Sequence, residues 1–155
     1  MTRPCYPLAK VMPHQGKMVL LERILEWDNE QLRALAIIRR DMPMTDDQGL
    51  PAYVGLELMA QAAAALAGCH ARTQQTLPQI GFLVGSRRYH CNCDYFPPGA
   101  QLEIQVRQSL RGDNGLSVFD GTITSTGPQS AITASAAINI FQPADPEAFI
   151  KSASR

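Results

Sequence analysis

One glutamate stands in an otherwise apolar stretch of the chain, GLELMAQAAAALAG at residues 55–68. At helical spacing this stretch leaves almost no polar face, and a helix that is apolar all round is expected to be buried. Glu57 is its only ionisable residue, and Gln61 follows four positions later on the same side of the helix. Because a buried carboxyl must be paired or protonated, Glu57 is a candidate for proton transfer. The ordinary alternative is a carboxylate that stabilises the first turn of the helix through its dipole.

A proton-transfer site of this kind needs a second group, and the sequence holds three histidines. His14 lies in the loop MPHQGKM, His70 follows the apolar stretch beside Arg72, and His90 lies in a stretch of strand character. A neutral imidazole accepts a proton near neutral pH, which suits it to general base catalysis beside a carboxyl. Each histidine also has a structural interpretation, as a loop, helix-end or strand residue.

The four cysteines indicate neither a disulfide framework nor a metal site. Cys5, Cys69, Cys91 and Cys93 occur in a chain of 155 residues, where reduced thiols are expected. No Cys-x-x-Cys pair is followed by a second pair at the spacing of a zinc finger. We therefore expect no metal.

Length and charge exclude several classes of protein. A chain of 155 residues is expected to form one domain over 1–155. The formal net charge is zero, which argues against nucleic acid and a polybasic membrane anchor as partners. No apolar run approaches the roughly 20 residues of a membrane span. The N-terminal residues MTRPCYPLAK lack an apolar signal core, so a cytoplasmic protein is expected.

The elements that would position these residues are one helix and many strands. Alternation and turn signals predict a helix over 54–71 and strands over 18–27, 31–39, 81–96 with a break near Gly85, 100–110, 116–126 and 130–143. The polar turn 28–30, RGDNG at 111–115 and GPQ at 127–129 separate neighbouring strands.

This ββαββββ order predicts an α+β protein in which a long curved antiparallel sheet wraps around one central helix, which is the hot-dog fold. Small alanines let the sheet approach the helix closely. A single curved sheet covers only one side of such a helix, so a dimer is expected, with a second copy or with another hot-dog subunit.

Three segments carry a family resemblance. VMPHQGKMVLLERILEWD at 11–28, LPAYVGLELMAQAAAALAG at 50–68 and GFLVGSRRYHCNCDYFPPGAQLEIQV at 81–106 are similar, in order, to a Leu-Pro-His opening motif, to the helix segment PGVLILEAMAQ and to a later strand that leads into Pro-Gly. Over about residues 7–142 the chain resembles the FabZ/FabA-type 3-hydroxyacyl-(acyl carrier protein) dehydratases, in particular the ApeP-like branch of hot-dog subunits associated with aryl polyene biosynthesis.

The resemblance implies removal of water from a 3-hydroxyacyl thioester, with Glu57 as the acid of a catalytic dyad. The family's histidine lies in a Gly-His-Phe-Pro motif shortly before the helix, whereas residues 40–51 of this chain contain no histidine. His14, on a loop that in the family contributes to the acyl tunnel, is the base that the resemblance favours.

The chemistry of this reaction also indicates candidate substrate-binding residues. Backbone N–H groups at Val54 and Gly55 would bind the thioester oxygen at the start of the helix, and Gln61 would orient the Glu57 carboxyl. Arg87 and Arg88 would contact the phosphate of phosphopantetheine or an acidic acyl carrier protein, or would simply cover a solvated sheet edge. No cofactor is expected beyond the phosphopantetheine that carries the substrate.

Two further functions remain open from the sequence. The chain could be a non-catalytic hot-dog subunit that binds acyl thioesters or completes a partner's active site. A hot-dog thioesterase, with the helix carboxylate as base or nucleophile, is a third interpretation.

Overall fold

Eight strands and one long helix make up the fold in the computed structural model, which describes residues 3–77, 80–127, 131–145, 148 and 151–152. The helix α1 is Gly55–Thr73. The strands are β1 Arg23–Trp27, β2 Gln31–Ile37, β3 Leu50–Pro51, β4 Phe82–Cys91, β5 Tyr95–Phe96, β6 Gln101–Arg111, β7 Leu116–Ser125 and β8 Thr133–Phe141.

Six of the strands form one antiparallel sheet in the order β1-β2-β6-β7-β8-β4, and β3 pairs with β5 separately. Strands β1 and β4 are its two edges. Alternation sets its inner face, where Leu102, Ile104 and Val106 of β6 are fully buried. These residues belong to one hydrophobic core with Leu58 and Met59 of α1. The fold is therefore the predicted hot-dog, a curved sheet around one helix.

The sheet comes close to the helix because small residues line the contact. Gly121 of β7 lies against Met59, and a Cβ on this glycine would stand 2.6 Å from the Met59 sulfur. On the helix side, Gly68 lies against the backbone carbonyl of Val11. The alanine-rich sequence of α1 thus serves close packing, as the composition indicated.

The predicted strand over 18–27 is wrong in its first half. Residues Gly16–Met18 form a 3₁₀ turn and β1 begins only at Arg23. The N–H of Leu20 donates to the side chain of Gln61 at 2.9 Å, so this segment is held by the helix instead of by a neighbouring strand. The two-residue strands β3 and β5 were not predicted, because such short pairs carry no periodicity.

Strand β4 is irregular, as the sequence indicated. Its register with β8 shifts between Leu83 and Gly85, which confirms the predicted break. A second shift lies between Arg87 and His90, where Arg88 adopts a positive φ of 57°. Alternation is therefore interrupted twice along this edge.

Two of the predicted turns show the hydrogen bonds that close them. The Asp28 carboxylate accepts the backbone N–H groups of Glu30 and Gln31, and these bonds hold its pKa below the usual value. In the second turn the N–H of Gly112 donates to the carbonyl of Leu116 at 2.7 Å, and Gly115 has a φ of +89°, a conformation open to glycine. The pairing of β7 with β8 confirms the third hairpin, but most of its GPQ turn lies outside the described residues.

The segment Ala52–Thr73 is long and apolar enough to cross a membrane by length and composition, which corrects the expectation that no run approaches that length. The sheet wraps this segment, and most of it is buried inside the protein. Its apolar character is accounted for by its place in the core.

Candidate active site

His14 and Glu57 lie side by side. The Nε2 atom of His14 is 3.6 Å from the Oε1 atom of Glu57, although 43 positions separate the residues in the chain. Glu57 is in the first turn of α1 and His14 is in the loop before Gly16–Met18. The two side chains are 39% and 25% exposed, so the expected burial of the Glu57 carboxyl is wrong for the single chain. The reason is that the sheet covers one side of α1 and leaves this flank open.

Gln61 joins the loop to the helix. Its carbonyl oxygen accepts the N–H of Leu20 at 2.9 Å, and its amide nitrogen donates to the carbonyl of Met18 at 2.7 Å. The same nitrogen donates to Glu57 Oε1 at 3.3 Å. Gln61 thus contacts the carboxyl as expected from its spacing, and it also holds the backbone next to His14, which the sequence did not indicate.

The helix start is shaped by a tyrosine of the edge strand β4. The Tyr89 hydroxyl of β4 donates to the carbonyl of Ala52, and burial raises the pKa of this phenol. A Cβ at position 55 would clash with this hydroxyl, so close packing explains why the residue is a glycine. The N–H of Gly55 bonds to the carbonyl of Ala52 within the 3₁₀ turn that ends at the buried Val54. Oxygen binding by Val54 and Gly55 stays a prediction.

A groove of about 710 Å³ begins at the dyad and follows the open flank of α1. His14 and Glu57 lie at one end of this groove, and His70, near the end of the helix, lies at the other. Since α1 rises about 1.5 Å per residue, the carboxyl and His70 are about 20 Å apart. Small residues of α1, which are Ala60, Ala64 and Ala67, line the middle of the groove, and the apolar side chains of Phe82, Phe119 and Ile140 line it from the sheet toward the His70 end. An open groove of this shape suits a long apolar chain whose reacting end reaches the dyad.

The other two histidines lie apart from Glu57. The Nε2 atom of His70 is 3.0 Å from the carbonyl of Asn29, and its ring meets the Trp27 ring edge-on at 5.3 Å. These contacts give His70 a structural role at the helix end. His90 is exposed on β4, where it pairs with Ser135.

Arg87 and Arg88 are both exposed on the edge strand β4. The bulge at Arg88 breaks the regular alternation of side chains along this part of the strand. Neither arginine lines the groove that begins at His14 and Glu57.

Three of the four cysteines are buried or half-buried, and Cys5 is exposed. Cys69 is fully buried in α1, and burial raises the pKa of its thiol to about 12. The sulfurs of Cys91 and Cys93 are 3.6 Å apart and half-buried. No cluster of three metal-binding side chains occurs among the described residues.

Comparison with known proteins identifies a matching family and a similar solved structure. The family model for ApeP-like proteins, described as ApeP dehydratase, matches residues 6–151. The dehydratase heterocomplex ApeI:P from Xenorhabdus doucetiae contains a chain with 25% identity and a TM-score of 0.84, over 97% of this chain and 99% of that one. No curated protein matches the sequence significantly.

More distant solved structures share the fold alone. A hypothetical thioesterase with coenzyme A from Streptococcus pneumoniae TIGR4 has 12% identity and a TM-score of 0.54, over 79% of this chain and 88% of that one. The E. coli PaaI protein has 12% identity and a TM-score of 0.53, over 77% of each chain. Since the family model covers nearly the whole chain, the protein belongs to the ApeP-like dehydratase family.

Proposed function

We propose that this protein removes water from 3-hydroxyacyl thioesters in the biosynthesis of polyene-type or fatty acyl chains, with His14 as base and Glu57 as acid. The observation that carries the proposal is the 3.6 Å separation of His14 Nε2 and Glu57 Oε1 at one end of the groove along α1. Family membership supports a dehydratase. His14 here stands in for the histidine that residues 40–51 lack.

The chemistry balances within the pair. His14 Nε2 takes the proton from Cα of the substrate, the electrons of that bond form the Cα–Cβ double bond, and the Cβ–O bond breaks. The protonated Glu57 carboxyl gives its proton to the departing hydroxyl, which leaves as water. An imidazolium and a carboxylate then face each other at 3.6 Å, and proton return from His14 to Glu57 resets the site. Gln61 donates to Glu57 Oε1 and limits the positions of the carboxyl.

The substrate is proposed to arrive on the phosphopantetheine arm of an acyl carrier protein. The groove needs the acyl chain presented from its dyad end, where the thioester must lie next to Glu57. The exposed Arg87 and Arg88 on β4 offer positive charge for an acidic carrier protein or for the phosphate of the arm. No other cofactor takes part in the proposed reaction.

Dehydration of 3-hydroxyacyl-pantetheine tests the dyad. Glu57→Gln and His14→Ala should each lower the rate by about a hundredfold or more, and the double variant should be little worse than either. His90→Ala and Glu22→Gln are matched controls, because both residues are exposed and lie outside the groove. Loss of activity in Glu57→Gln with full activity in His14→Ala would reject the dyad and leave Glu57 with another base.

A second candidate function is favoured by the other nitrogen of His14. Nδ1 is buried and has no hydrogen-bond partner within the described residues. A base that acts through Nε2 must carry its proton on Nδ1, and burying that N–H without an acceptor is costly. The alternative is therefore a subunit that completes the active site or tunnel of another hot-dog chain and does not react by itself.

A partner is proposed to bind the first half of the edge strand β4. Leu83 and Val84 are exposed apolar residues on this unpaired edge, which is a surface that proteins normally cover. The second half of β4 carries the charges of Arg87 and Arg88 and a bulge, and both features disfavour pairing with another strand. This half of the edge is therefore expected to stay uncovered. The related chain from Xenorhabdus doucetiae belongs to a heterocomplex, which supports a second hot-dog subunit as the partner; a second copy is the homomeric alternative.

Light scattering with and without a coexpressed hot-dog partner tests this edge. Val84→Lys, at a residue 51% exposed, should convert the dimer to monomers because charge on an edge opposes pairing. Leu110→Lys is the matched control, since Leu110 is 60% exposed at the end of β6. A dimer that survives Val84→Lys, or one that Leu110→Lys disrupts equally, would rule out pairing through β4.

A further inference from the structure

Polar side chains occupy core-facing positions at the far end of the groove. On β6 every second residue faces the core, and these residues are Leu102, Ile104 and Val106. The next residue in this alternation is Gln108. Gln108 is half-buried, and a ligand that displaces water from its amide must replace the lost hydrogen bonds.

Two neighbouring strands show the same departure. On β7 the inward series that contains Ile123 and Phe119 ends with the buried Ser117. On β8 the series that contains Ile138 and Ile140 continues past the strand end with Gln142. On three adjacent strands the inward series therefore ends in a polar residue, and the three positions are staggered along the sheet, because Gln108 pairs with Phe119 and Ser117 pairs with Ile140.

These residues form what we call the far-end polar cluster, Gln108, Ser117 and Gln142. All three line the groove that begins at Glu57. The amide nitrogen of Gln108 donates to the Ser117 hydroxyl at 3.2 Å, and Gln142 lies beside Gly81. The amide oxygen of Gln108 has no hydrogen-bond partner among the residues that the structure describes, so it is available to a ligand.

The groove thus changes character along its length. It has proton-transfer groups at one end, small alanine side chains of α1 in the middle and, about 20 Å away at the other end, uncharged hydrogen-bonding groups beside apolar ones. A chain that ends in a methyl group would desolvate the cluster without satisfying it. A chain that ends in a neutral hydrogen-bonding group would pair with the amides and the hydroxyl.

We propose that the far-end polar cluster selects acyl chains whose ω end carries a neutral hydrogen-bonding group, such as a hydroxyl, over chains that end in a methyl group. This inference rests on the proposed function, since it assigns the groove to the acyl chain of the same substrate. The cluster residues determine specificity and take no part in proton transfer. The three cluster residues are uncharged, which favours a neutral ω group over a carboxylate; Arg111, which also lines this end of the groove, is exposed to water, where its charge is screened.

Binding of two matched ligands to the full chain, alone and with its partner subunit, tests the proposal. Hexadecanoyl-pantetheine and ω-hydroxyhexadecanoyl-pantetheine lack a 3-hydroxyl, so neither can react. The ω-hydroxy ligand should bind about tenfold more tightly, the scale of one or two buried hydrogen bonds. Gln108→Leu should abolish this preference, because it should strengthen the binding of the methyl-ended ligand and weaken the binding of the ω-hydroxy ligand.

A control on the same strand separates selection from a general structural effect. Gln105→Leu makes the same change on the outer face of β6, where the Gln105 amide bonds to Gln31, and should keep the preference. Ser117→Ala should reduce the preference and serves if Gln108→Leu does not fold. Equal binding of the two ligands, binding of neither, or an equal effect of Gln105→Leu would overturn the proposal.

Dehydration of 3-hydroxybutyryl-pantetheine, which is too short to reach the cluster, is measured in the same variants. Activity on this short substrate with no ω preference would reject the far-end selection and leave the dehydratase standing. An ω preference without dehydration would reject the dehydratase and leave the groove as an acyl-binding site.

Discussion

The amide of Gln61 is the connection between the loop that carries His14 and the helix that carries Glu57. Its carbonyl oxygen and its amide nitrogen bond to the backbone at Leu20 and Met18, and the same nitrogen reaches Glu57. The side chain is only 1% exposed. Both the stability of this region and the geometry of the dyad should therefore depend on one residue.

Gln61→Met replaces this amide with a chain of similar length that makes no such bonds. A buried N–H at Leu20 and a carbonyl at Met18 would lose their partners, so the free energy of unfolding should fall by about 2–3 kcal/mol in urea titrations. At a temperature where the variant is folded, kcat for dehydration should fall more than KM rises, because the substrate groove is intact. A variant with normal stability and normal kcat would show that the loop is held by other contacts.

Only some of the contacts in the candidate active site could be predicted from the sequence. Glu57 and Gln61 could be paired from helical spacing alone, and the structure shows their contact. The approach of His14 to Glu57 is a long-range contact that no local pattern encodes, and only the family resemblance favoured this histidine. Gln108 was missed, although a glutamine in step with Leu102, Ile104 and Val106 is a visible signal.

At the scale of elements, local patterns predicted the helix and the long strands because each has a periodicity. They failed where a distant side chain decides the conformation, as at Leu20, whose N–H bonds to Gln61. They also failed for β3, where two residues, one of them a proline, pair with β5. Short pairs of this kind depend on the tertiary structure that brings them together.

The two glycines that let elements approach each other should differ in tolerance. Gly68→Ala would push a Cβ into the backbone carbonyl of Val11, which cannot move freely, whereas Gly121→Ala would meet the flexible side chain of Met59. Helix propensity alone would make Gly68→Ala stabilising by about 1 kcal/mol. We expect the opposite sign, a loss of about 2–3 kcal/mol for Gly68→Ala and a smaller loss for Gly121→Ala.

Urea titrations of both variants beside the wild type would measure this order. Ala65→Gly, at a buried helix position, is a control for the intrinsic cost of glycine in α1. A stabilised Gly68→Ala variant would mean that the N-terminal segment at Val11 moves away from the helix at little cost.

At the scale of the whole molecule, the order of elements predicted a sheet that wraps one helix, and the structure has that fold. The sequence could not show how much of the helix surface the sheet covers. The open flank of α1 leaves Glu57 39% exposed, where an all-apolar helix predicted burial. An open flank and an apolar edge at Val84 are two surfaces that a second subunit could cover, and the sequence anticipated this need in general terms only.

The last prediction concerns the approach of the substrate carrier to this open side. Arg87→Glu and Arg88→Glu should each weaken binding of an acidic acyl carrier protein and flatten its dependence on salt, because fewer charge pairs would be screened. Arg23→Glu makes the same charge change on the opposite edge strand β1, where Arg23 is exposed, and should leave binding unchanged.

Titration of a carrier protein at two salt concentrations, with dehydration of free 3-hydroxyacyl-pantetheine as a check on the active site, separates docking from catalysis. If all three variants bind equally, the β4 arginines only solvate the edge of the sheet; if Arg23→Glu weakens binding as much as the others, net charge and not a local surface governs the approach.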